Sequence, residues 1–142
     1  MDEKIVDFFR EHSNNFLEMA LQTGKLERIM HPDGYGMFKR ECGDSLEIFL
    51  SARNGSIQTA SFYTEGCIYT VACANTLVRM IEGKSTEYAW TVTPRHLADY
   101  LETLPEKEHH CAELAIKALR LALLNLKETE RQPWVKFYRN NS

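Results

Sequence analysis

The sequence predicts an α+β fold: a small three-stranded antiparallel sheet packed against several helices, with an N-terminal helix and a long late helix. Three observations predict it. Leu46, Ile48, Leu50 and Ala52 alternate with Glu47, Ser51 and Arg53, the period of a half-buried strand. Asn54-Gly55 follows at once, a strong two-residue hairpin signal. After Gly66 the apolar spacing turns helical and stays so for most of the remaining chain.

The elements follow in order. The segment DEKIVDFFREHSNNFLEMALQTG carries Ile5, Phe8, Phe9, Phe16, Met19 and Leu21 at helical spacing. It reads as one helix or as two short ones broken at Ser13-Asn14-Asn15, with Gly24 as a stop. HPDGYG suits a turn, and GYGMFKRE supplies a strand before Cys42. SIQTASFYT is the strand after the hairpin. CIYTVACANTLVRMIEG is a helix of about four turns ended by Gly83. STEYAW is a short helix capped by Ser85, and TPRHLADYLETL is another, with Thr93 at the N-cap and Pro94 at the first helical position. EHHCAELAIKALRLALLNLKETE is the longest helix, and the tail RQPWVKFYRNNS carries Trp134, Phe137 and Tyr138. No internal repeat or low-complexity linker divides the chain. A single domain is expected over 1–142, with a core at about 30–127, an N-terminal helical segment at 1–29 and an aromatic tail at 128–142.

Composition narrows the function. The chain is 44% apolar and 26% charged, with a formal net charge of -3 and no basic block. Nucleic acid is therefore a poor partner. The acidic start MDEKIVDFF lacks the charged and apolar regions of a secretory signal, and no apolar run approaches a membrane span. A cytoplasmic, soluble protein is expected, a monomer or weak homo-oligomer.

The cysteines carry the chemistry. Cys42, Cys67, Cys73 and Cys111 are too few to staple a chain of 142 residues, and a reducing cytosol disfavours disulfides. Buried core thiols, metal ligands and reactive thiols remain open. Cys42 in ECGD precedes a strand, with Asp44 two residues on; Cys67 in TEGC opens a helix; Cys111 in HHC opens the last helix. All three stand at element junctions, and two stand near helix N-termini, where the dipole and free N–H groups favour a thiolate. Cys73, inside the helix that follows Cys67, reads as core packing. Any one cysteine in such a chain is usually a small buried hydrophobe. The separations of 25 residues (42 to 67) and 44 residues (67 to 111) match no zinc-finger spacing.

Taken together, CGD, a strand–hairpin–strand, GC opening a helix, and LP followed by HC opening a long helix resemble the NifU/IscU iron–sulfur cluster assembly scaffold proteins, the NifU N-terminal domain family. The resemblance covers about residues 30 to 125, through HPDGYG, EGCIYTVACANTL, EGKS and LPEKEHHCAELA. It implies that Cys42, Cys67 and Cys111 are the three cluster cysteines, Asp44 the aspartate of the family's CGD motif and His110 its neighbouring histidine. Cofactor ligands are then expected among Cys42, Asp44, Cys67, His110 and Cys111, with Asp44 and His110 competing for the fourth place and Cys111 the persulfide acceptor. It implies a 2Fe–2S cluster, or zinc at the same site, built with sulfur from a cysteine desulfurase and passed to acceptor apo-proteins. Such a scaffold binds and transfers and is not an enzyme. Three thiolates suit iron–sulfur or zinc, and a weaker oxygen or nitrogen in fourth place eases release.

The departures are specific. The family often has a lysine three residues before the last cysteine, where this chain has Glu108. Leu-Pro-Pro-Val-Lys becomes Leu-Pro-Glu-Lys-Glu, which argues against recognition by the family's specialised chaperone. Ile68 follows Cys67 where glycine is common, and Cys73 stands where serine is frequent. Two rivals stay open: a zinc-binding regulatory or sulfur-acceptor protein of the same fold, and a sulfurtransferase that uses Cys111 alone.

Overall fold

The computed structural model describes residues 10–41 and 43–134. Cys42 and the aromatic residues Phe137 and Tyr138 lie outside them, as do Ile5, Phe8 and Phe9.

Helix α1, Asn14–Leu21, starts where the Ser13-Asn14-Asn15 signal placed a break. The Ser13 hydroxyl accepts from the Phe16 N–H at 3.0 Å and donates to the Leu101 carbonyl at 2.8 Å, so one side chain caps a helix and docks it. Three strands then form an antiparallel sheet in the order β1-β2-β3: Gly34–Lys39, Ser45–Arg53 and Ser56–Tyr63. Asn54 and Gly55 both have positive φ, 53° and 77°, which closes the tight hairpin. Four more helices follow among the described residues: α2 Ile68–Ile81, α3 Thr86–Thr91, α4 Pro94–Leu101 and α5 His109–Arg131. Ser85 and Thr93 cap α3 and α4 as read, with Pro94 in the first turn. Gly83 lies one residue past the Glu82 cap with φ 81°, the left-handed residue that ends α2. A 3-10 turn, Glu106–Glu108, precedes α5, so the long helix begins at His109 and not at Glu108.

The strand alternation is only half of what β2 does. Leu46, Ile48 and Leu50 face the helices, but Phe49 and Glu47 are buried too, Glu47 to 7% exposure. A charge so placed needs partners. Arg28 donates to Glu47 Oε2 through Nε at 3.2 Å and its terminal nitrogen at 3.1 Å, while the Tyr35 hydroxyl donates to Oε1 at 2.7 Å. The Arg28 guanidinium also sits 4.0 Å over the Tyr63 ring. The second face of the sheet is thus closed by a polar clamp.

The first face is closed by α5, which crosses β1 at very short range. A Cβ on Gly36 would fall 2.3 Å from the Ala118 carbonyl oxygen and 2.3 Å from the Ala122 nitrogen, both backbone atoms of α5. Only glycine fits there. Helix α2 is buried nearly all round, from Thr70 to Ile81, and lies between α1 and α5. The Asn75 amide donates to the Met19 and Gln22 carbonyls at 2.7 and 2.8 Å, satisfying the C-terminal end of α1. No helix among the described residues is long and apolar enough to cross a membrane.

Gly36→Ala should destabilise the fold by about 1–3 kcal/mol, because backbone cannot yield as a side chain does. Thermal unfolding followed by circular dichroism should show a fall in Tm of roughly 3–10 °C. Gly24→Ala, which meets nothing within 4 Å, is the matched control and should leave Tm close to wild type.

Candidate metal centre

Residues from two distant stretches meet where α2 and α5 begin. Cys67 is the N-cap of α2, its thiol makes no capping hydrogen bond, and the residue is exposed. Gly66 permits the approach: a Cβ there would lie 3.1 Å from Thr64 Oγ1 and 3.3 Å from Thr70 Oγ1. Thr64 in turn donates to the Ser45 carbonyl at 2.7 Å, tying the Cys67 loop to the turn between β1 and β2. That turn is closed by Arg40 N–H to the Asp44 carbonyl, 2.7 Å, and Gly43 N–H to the Arg40 carbonyl, 2.9 Å. The antiparallel register, Lys39 with Ser45 and Glu47 with Tyr63, sets this turn and the Cys67 loop at the same end of the sheet.

Cys111 arrives from α5. It is the third residue of that helix and is wholly buried. The Thr70 hydroxyl, one turn beyond Cys67, donates to Cys111 Sγ at 3.4 Å and lies 3.7 Å from Cys67 Sγ, so one buried hydroxyl spaces both sulfurs. Glu108, three residues before Cys111, brings its carboxylate Oε2 to 3.8 Å from Cys111 Sγ. Cys67 Sγ, Cys111 Sγ and a Glu108 carboxylate oxygen all lie within 4.8 Å of one another. Two thiols and one carboxylate converging at this range form a donor set suited to a divalent metal ion.

The chain belongs to the NifU-like N-terminal domain family. The family model matches residues 2–132. Among curated relatives, the iron-sulfur cluster assembly scaffold protein IscU 1 of Archaeoglobus fulgidus is 31% identical over 124 residues, 87% of this chain and 74% of that one. IscU of Aquifex aeolicus, also named as an iron-sulfur cluster assembly scaffold protein, is 31% identical over 116 residues, 80% of this chain and 74% of its own. The fold is shared with a solved NifU-like N-terminal domain from Brucella abortus at a TM-score of 0.66 and 16% identity, covering 87% of this chain and 97% of that one.

Each expected site residue can now be placed. Cys67 and Cys111 meet; Cys42 lies outside the described residues. Asp44 is not in the Cys67–Glu108–Cys111 group, and its carboxylate stands 3.8 Å from the Arg40 guanidinium. His110 is not in the group either: its Nδ1–H donates to the Lys107 carbonyl at 3.0 Å, and its Nε2 stands 3.7 Å from Glu108 Oε2. Cys73 is buried in the core, where burial first and the neighbouring sulfurs second push its thiol far up. Glu108 and Thr70 are additions. Each stands three residues from a cysteine, and that one-turn spacing was the available signal.

One expectation is reversed. The helix N-terminus suggested a Cys111 thiol lowered toward thiolate. Burial instead pushes it up to about 12; the Thr70 hydroxyl opposes the shift, and Cys67 and Glu108 reinforce it. Desolvation in the core outweighs the dipole. Burial, then the charge of Glu108 and of Cys67, likewise raises the Tyr69 phenol beside the site.

Alkylation of the reduced, metal-free protein with peptide mapping should therefore label Cys67 before Cys111, and Cys73 last. Because its pKa is raised, Cys111 stays a neutral thiol at neutral pH, and its labelling should still accelerate between about pH 8 and pH 10. Cys111 labelling as fast as Cys67 at neutral pH would contradict the burial argument.

Proposed function

We propose that this protein is a scaffold on which an iron–sulfur cluster of the 2Fe–2S type is assembled and from which it passes to acceptor apo-proteins. The observation that carries the reading is the meeting of Cys67 and Cys111, 44 positions apart (67 to 111), at one edge of the fold in a chain of this family. Relatives named as iron-sulfur cluster assembly scaffold proteins supply the function class. Cys42 completes the thiolate set in this proposal, with Asp44 or His110 as the exchangeable neighbour.

Binding and transfer, and not catalysis, suit such a shell. Soft thiolates hold iron and sulfide, and a shell short of four thiolates holds them less tightly than a permanent centre. Sulfur arrives from a cysteine desulfurase as a persulfide. An acceptor thiolate attacks its outer sulfur, the S–S bond to the donor cysteine breaks, and the donor leaves as a thiolate while the acceptor becomes the persulfide. Cys111 is the acceptor that the family resemblance implies. Its sulfur is buried, whereas Cys67 is accessible as it stands. The reducing cytoplasm is the compartment in which free thiols persist.

The donor set also supports a second reading, a zinc-binding regulatory or sulfur-acceptor protein, because two sulfurs and an oxygen are competent zinc ligands. Anaerobic reconstitution with ferrous iron, cysteine and a desulfurase separates the two. The scaffold reading expects the visible absorption of a 2Fe–2S cluster and its transfer to an apo-ferredoxin; stable zinc retention with no cluster formed would support the alternative. Cys67→Ser and Cys111→Ser should each abolish cluster formation, and a Cys111→Ser protein assembling clusters at the wild-type rate would overturn the scaffold reading. Asp44→Ala should give a cluster that persists longer and transfers more slowly; unchanged transfer would remove Asp44 from that role.

A further inference from the structure

We propose that Glu108 is a direct ligand to the incoming divalent cation, so that this chain receives metal on a two-sulfur, one-oxygen face made by Cys67, Cys111 and Glu108. The inference rests on the scaffold reading of the site and adds to it a ligand that stands outside the set Cys42, Asp44, Cys67, His110 and Cys111.

The distances carry the argument. Around a tetrahedral ion with metal–sulfur bonds of about 2.3 Å and metal–oxygen bonds of about 2.1 Å, two sulfurs lie roughly 3.7 Å apart and a sulfur and an oxygen roughly 3.6 Å apart. Glu108 Oε2 is already 3.8 Å from Cys111 Sγ, and the three ligand atoms are mutually within 4.8 Å. Closing onto an ion shortens these separations by roughly 1.2 Å at most, within the reach of side-chain torsions.

The backbone holds Glu108 in place for this. It ends the 3-10 turn, with its N–H donating to the Pro105 carbonyl at 2.8 Å, and it is the N-cap residue immediately before α5. Its side chain is only 20% exposed. Among the described residues no Lys or Arg pairs with it, and the nearest positive group is the His110 ring at 3.7 Å, charged only when protonated. In the metal-free site the Cys111 thiol donates to the Glu108 carboxylate at 3.8 Å. A dication takes the place of that proton and is shared by all three donors. Thr70 fixes the sulfurs at a spacing the ion can span. The mixed set also states a preference: one hard oxygen among soft sulfurs suits ferrous iron and zinc, whereas a cuprous ion gains little from the oxygen.

The test uses the full chain, reduced and metal-free, under anaerobic conditions. Zinc is titrated against a chromophoric chelator, and cobalt(II) serves as the spectroscopic probe. Glu108→Gln keeps the shape and removes the charge; Glu108→His offers a different ligand of similar reach. The proposal expects Glu108→Gln to weaken zinc binding by about tenfold or more, a loss at least that of disturbing an outer-shell partner. It expects the cobalt d–d bands to change, and Glu108→His to recover most of the affinity with a third spectrum. Wild-type affinity in Glu108→Gln overturns it, and so does lost affinity with an unchanged cobalt spectrum at saturation, which would make Glu108 a distant charge and not a ligand. Cys67→Ser tells the two levels apart. If it loses sulfur-to-cobalt charge transfer while Glu108→Gln behaves as wild type, this inference fails and the scaffold site stands. If Cys67→Ser binds zinc and cobalt as wild type, the site reading itself fails.

Discussion

The approach of α5 to β1 is the constraint on which the rest of the structure depends. Helix and strand touch backbone to backbone at Gly36, where no side chain fits. That contact fixes how far α5 sinks onto the sheet, and therefore where its first turn ends. The first turn carries Cys111 and adjoins Glu108. A helix held one side chain further out would lift Cys111 away from Thr70 and Cys67, which belong to a different element. The site is thus assembled by packing and not by a local motif, and for that reason no short spacing rule finds it.

Packing also explains the inequality of the two thiols. Cys67 caps a helix that starts at the surface, so its sulfur meets water. Cys111 lies on the inward face of a helix that seals the core, so its sulfur is desolvated and its charged form disfavoured. A helix N-terminus lies near each, and burial decides the difference. A metal ion changes that balance, because it stabilises the thiolate directly and supplies the charge that the apolar surroundings lack.

Much of the fold was legible in the sequence. The β2 strand, the Asn54-Gly55 hairpin, the Ser85 and Thr93 caps and the Gly83 stop are all written in nearest-neighbour chemistry, and each element appears where it was read. The burial of Glu47 and Phe49 was not legible, because what covers them comes from Arg28, Tyr35 and Tyr63, remote in sequence. Of the site, the junction positions of Cys67 and Cys111 were visible and their meeting was implied by the family resemblance. Glu108 was visible only as a departure from a lysine, since nothing local says that its carboxylate turns toward a sulfur. The direction of the Cys111 shift was misjudged for the same reason: a dipole is a local property, whereas desolvation belongs to the whole core.

The proposed scaffold function requires that cargo leave, and the asymmetry of the site would give departure a direction. Cys111 lies on the inside, buried from solvent. Cys67 faces solvent, and Glu108 stands between the two, partly exposed. For cargo held on such a set, an incoming thiolate approaches from the Cys67 side. If Glu108 is the ligand proposed above, the bond displaced most cheaply is the one to its oxygen, the hard donor in a soft shell. Exchange then begins at the open edge and ends at the buried sulfur. A symmetric shell of equally exposed thiolates would offer no such order, and a fully buried one would offer no way in.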